Sequence, residues 1–66
     1  MNYSSKRLIK LLENRGWVLD RIRGSHHVFK HKEGGFIVVP VHGNNDISKG
    51  VFYSILKDAG IDKFEV

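Results

Sequence analysis

Three of the chain's four histidines fall within nine residues, in the stretch RGSHHVFKH at 23–31. Imidazoles this close together are candidates for metal ligation or for proton transfer, because the ring offers a nitrogen lone pair and titrates near neutrality. Arg23 and Lys30 flank them, so a phosphate held there would have both a base and a counter-charge beside it. Histidine-rich expression scars sit at chain ends. This stretch is interior and bracketed by apolar-rich segments.

The elements that carry the histidines decide between these chemistries. Gly24-Ser25 has glycine first, which fits a type II′ hairpin turn, with a strand of imperfect alternation before it at Trp17–Arg23 and a returning strand at 26–32. Successive strand side chains point to opposite faces, so His26 and His27 cannot share an ion. His27 and His31 share a face but lie about 13 Å apart at about 3.3 Å per residue. No cysteine is present and no carboxylate stands at a familiar ligand spacing. Neither a metal nor any other cofactor is expected. Phe29, the largest apolar group on this strand, is expected to face the core with His27 and His31 on its side, although Val28 could claim the core instead. With Phe29 inward, His26 and Lys30 stand on the opposite, open face.

The remaining pattern supplies the frame. Leu8, Leu11 and Leu12 recur at helical spacing, widened by Ile9, which predicts a helix over 4–15 capped by Ser4 or Ser5 and ended by Gly16. Trp17, directly after it, reads as a core anchor. A turn at 32–35 leads to a third strand at 36–41, with Pro40 near its end or on an edge. A loop follows at 42–46 and includes His42, which is expected to bind nothing. Val51, Phe52, Ile55, Leu56 and Ala59 form one face of a last helix, capped by Ser48 and closed by Gly60-Ile61 in a Schellman ending. One α+β domain over residues 1–66 is expected, α-β-β-β-α, with two helices packed on one face of a three-stranded antiparallel sheet.

Composition narrows the setting. A chain of 66 residues buries only about 60% of its unfolded surface, so the core is small. The longest apolar run, 36–41, is far short of a membrane span, and no signal peptide is evident. A soluble cytoplasmic domain with no membrane partner is expected. The net charge of +4 is uneven: residues 1–32 carry eight Lys or Arg against two acids, and residues 33–66 carry three against five. Such a basic half attracts polyanions, RNA or DNA above all, unless it serves only as a solvated face. Lys6, Lys10, Arg21, Arg23 and Lys30, with Ser25, are candidate phosphate contacts as a group. An exposed imidazole beside such cations can take a proton from a ribose 2′-hydroxyl or return one to a leaving oxygen. These residues alone leave open a catalytic histidine and an ordinary surface one.

The chain resembles the HicA (YcfA-like) toxin family of bacterial and archaeal toxin–antitoxin systems. The resemblance rests on SSKRLIKLLENRGWVLDRIRGSHHVFKH, IVVPVHGNNDISKG and SILKDAGI, in the family's order and over nearly the whole length. It implies a double-stranded-RNA-binding-domain-like fold. It also implies a ribosome-independent endoribonuclease that cleaves mRNA and arrests growth, neutralised by a HicB antitoxin covering its active site. The family's catalytic histidine follows Gly-Ser directly, which falls on His26; members with Gly-Ser-x-His keep His27 in reserve. Two departures lie outside that motif: Val51 stands where threonine is usual after the glycine, and KEGG replaces a Pro-Asp-Gly-like turn. The competing functions are a non-catalytic module that binds double-stranded RNA by shape and a protein-interaction domain.

Overall fold

The computed structural model describes residues 3–41, 47–62 and 64. Its elements are α1 (Ser5–Glu13), β1 (Trp17–Arg23), β2 (His26–His31), β3 (Phe36–Pro40) and α2 (Lys49–Asp58). The strands form an antiparallel meander in the order β1-β2-β3, the double-stranded-RNA-binding-domain-like α+β arrangement expected. The loop expected at 42–46, His42 included, lies outside the described residues.

Local chemistry sets each boundary. The Ser4 hydroxyl accepts the Arg7 N–H at 3.2 Å and opens α1. The helix closes at Glu13, two residues before the expected end, because the Arg15 and Gly16 N–H groups fold back onto the Leu12 and Glu13 carbonyls. Gly16 then takes φ +89°, and a Cβ there would lie 3.0 Å from His31 Nε2. Backbone conformation and space both demand glycine at this corner. Gly24 has φ +60° and no residue type but glycine has positive φ among the described residues, which leaves Ser25 at negative φ as a type II′ turn requires. Strand β2 ends at His31, so Lys32 belongs to the following turn.

Helix α2 opens on Ser48, whose hydroxyl accepts the Val51 N–H at 3.2 Å. It closes in a Schellman motif. The Ile61 N–H reaches the Leu56 carbonyl at 2.9 Å, the Gly60 N–H reaches Lys57 at 3.0 Å, and Gly60 has φ +75°. Ile61 and Leu56 are both buried, which supplies the apolar contact of that motif.

Both helices pack on one face of the sheet. Leu8, Leu12, Phe29, Val39, Phe52 and Leu56 are fully buried, with Trp17, Ile37, Ile47, Ile55 and Ile61 completing the same cluster. Burying each large apolar side chain contributes about 1.5–3 kcal/mol. The expected apolar face of α2 needs one correction. Phe52, Ile55 and Leu56 are buried, Ala59 is half-buried, and Val51 is 42% exposed, because the stripe that meets the sheet begins one residue later. No helix of the described residues is long and apolar enough to cross a membrane.

Phe29→Ala is expected to cost about 3–5 kcal/mol, as much as a core of this size supplies. The variant should lack a cooperative urea transition, whereas Val28→Ala, on the other face, should retain one. A folded Phe29→Ala protein would contradict this assignment of faces.

Candidate functional site

Cross-strand partners share a face, so the register sorts the sheet into two surfaces. Toward the helices stand Trp17 with His31, then Leu19, Phe29 and Ile37, then Ile22, His27 and Val39. On the open side stand Val18, Lys30 and Phe36, then Arg21, Val28 and Val38, then Arg23, His26 and Pro40. His26 and His27 are therefore on opposite faces of β2, as strand alternation requires. Val28 is 8% exposed, yet it is not part of the core cluster; its burial comes from its neighbours on the open side.

The imperfect alternation of β1 has a structural cause. The register skips between Leu19 and Arg21, so Asp20 is an extra residue in a β-bulge. Counting by twos from Trp17 would send Arg21 and Arg23 toward the helices. The bulge shifts the phase by one residue and delivers both arginines to the side of His26. The Asp20 carboxylate stays at this point, 3.6 Å from Arg21 Nε and 3.5 Å from Lys30 Nζ.

His26 is exposed and borders a groove of about 470 Å³ lined by Arg21, Arg23, His26, Val28, Phe36 and Val38. An accessible imidazole and two guanidinium groups thus face one concave strip whose floor is apolar. Such a strip can hold a phosphate by charge while the ring exchanges protons with a neighbouring hydroxyl. Ser25 closes the hairpin beside it, and its carbonyl accepts the Val41 N–H at 2.7 Å. Lys30 stands on the same face, two rows from His26. Lys6 and Lys10 are exposed on α1, in the layer across the sheet, so the structure does not bring them to the groove.

The other two described histidines have different surroundings. His27 is half-buried between Ile22 and Val39 on the helix side, and its buried Nδ1 has no hydrogen-bond partner among the described residues. His31 joins two turns: its Nδ1 accepts the Glu33 N–H at 3.1 Å and its Nε2 donates to the Arg15 carbonyl at 2.9 Å. Its ring also packs edge-on against Trp17, with centroids 5.0 Å apart. That role is architectural. Asp20, Val28, Phe36 and Val38 were not picked out as site residues from sequence. The broken alternation at Trp17–Arg23 is the one signal that pointed to the bulge and hence to Asp20.

A family model described as the HicA toxin of bacterial toxin–antitoxin systems matches residues 5–61. No curated protein matches the chain.

Asp20→Asn should release Arg21 and Lys30 without loosening the fold. Stability is expected to change by less than about 1 kcal/mol, as for surface ion pairs generally. Affinity for RNA should rise several-fold at low salt and converge with the parent at high salt. A titration at two ionic strengths checks this; an unchanged or weaker affinity at low salt would show that the carboxylate does not compete with phosphate.

Proposed function

The chain belongs to the HicA toxin family, and from that premise we propose that it is a metal-independent endoribonuclease acting on mRNA through His26. A toxin of a toxin–antitoxin system has an antitoxin partner, and the one proposed here is of the HicB type, covering the groove. The observation that carries the reading is the meeting of an exposed His26 with Arg21 and Arg23 on one concave strip.

The chemistry follows from what these side chains can do. His26 accepts the proton of a ribose 2′-hydroxyl, and the 2′-oxygen attacks the adjacent phosphorus. The bond from phosphorus to the 5′-oxygen breaks, leaving a 2′,3′-cyclic phosphate on one fragment. The departing 5′-oxygen takes its proton from solvent and ends as a hydroxyl on the other. Arg21 and Arg23 hold the phosphate and stabilise the charge that builds on its oxygens. Lys30 and Ser25 are further RNA contacts, and Lys6 and Lys10 engage a longer RNA from the helix layer.

One observation favours a second reading. A buried imidazole nitrogen without a hydrogen-bond partner calls for an explanation, and among the described residues His27 Nδ1 is one; in that reading His27 acts as the base from the helix side.

Removing a general base typically slows a reaction about 10²–10⁴-fold. His26→Ala is therefore expected to lose cleavage by that factor, to lose toxicity on expression, and to keep RNA binding. The parent protein should still cut in the presence of a chelator and leave cyclic phosphate termini. Normal cleavage by His26→Ala with none by His27→Ala would move the site to His27. Parent protein that binds RNA but never cuts it would identify a non-catalytic RNA-binding module.

A further inference from the structure

We propose that Phe36 is a stacking platform for a nucleobase, and that the open sheet face takes single-stranded RNA in preference to a duplex. The inference rests on the nuclease reading of the same groove and adds the residue that seats a base and the strandedness of the RNA it takes.

Phe36 is 65% exposed on a strand whose inward residues, Ile37 and Val39, are buried. It contributes nothing to the core, and with Val18 and Val38 it leaves an apolar strip facing water. Phe36 and Val38 of that strip line the groove that holds His26, Arg21 and Arg23. Phe36 stands two rows from His26 on the neighbouring strand, about 13 Å along the strand direction, which leaves room for a few nucleotides between them.

The charges of the face favour a polyanion over an apolar partner. Arg21 and Lys30 share the single carboxylate of Asp20. Arg23 has no ion-pair partner among the described residues, so the face carries net positive charge around its apolar strip. Aromatic rings set among cations bind single strands, because every base has a face to stack and every linkage has a charge to neutralise. A duplex keeps its bases stacked inside and offers phosphates and 2′-hydroxyls. An exposed phenyl ring would gain little from that surface.

Fluorescence anisotropy with a short labelled oligouridylate tests the proposal, using the His26→Ala protein so that the RNA survives. Adding Phe36→Ala should weaken binding about five- to a hundredfold, the range for loss of one stacked base. Phe36→Trp should preserve affinity, and the new indole's fluorescence should be quenched by the RNA. An oligomer of the same length without bases should bind weakly and equally to both proteins. Unchanged affinity after Phe36→Ala, an equal loss with the baseless oligomer, or tighter binding of a duplex would each overturn the proposal. So would an unchanged RNA affinity combined with lost retention of a co-expressed antitoxin, which would assign the face to that protein. Cleavage is scored separately in the His26 parent. Stacking without cleavage would remove the nuclease reading alone, and cleavage indifferent to Phe36→Ala would remove the platform alone.

Discussion

Phe29 has to face the helices, and that necessity orients every other side chain of β2. A chain of this length has apolar material for one small core, so only one face of the sheet is covered. Once Phe29, its partner Ile37 and the neighbouring Val39 turn inward, the two-residue period of the strand sends His26, Val28 and Lys30 the other way. The exposure of His26 is thus a by-product of core formation. The open face is available as a site because packing leaves it uncovered while the bulge stocks it with charge.

The same economy governs the corners. The turn after α1 and the turn after β2 lie far apart in sequence, yet one imidazole ties them. His31 meets the Arg15 carbonyl, the Glu33 N–H and the Trp17 ring at once. Gly16 permits this by having no side chain to occupy the ring's place. In a larger protein such corners would be held by further layers of core. Here a single polar residue, half-buried at the margin, does it with hydrogen bonds.

Element order, both serine caps and the Schellman ending were legible because each follows from bonding over a few neighbouring residues. The opposite faces of His26 and His27 were legible because the strand period is strict. The phase of β1 was not. WVLDRIR shows broken alternation, but where the extra residue sits depends on how β1 pairs with β2, and that is a tertiary fact. For the same reason the pairing of Asp20 with Lys30 could not be read, since it joins residues on two strands across the bulge. Val51 was assigned to the buried face because it is apolar and near the right spacing; only the helix's rotation against the sheet shows that it points outward. Of the candidate site, His26 with its two arginines came from motif and charge, whereas Phe36 and Val38 emerged only when three strands were laid side by side.

A three-stranded sheet in solution has two free edges, and each offers unpaired N–H and C=O groups to any extended chain it meets. The bulge at Asp20 interrupts β1 and increases its local twist, so a straight strand cannot pair along its full length. Pro40 ends β3 with a residue that has no N–H to donate. One extra residue in β1 therefore has an effect beyond the placement of charge: it makes that margin a poor template for growth of the sheet from one molecule to the next.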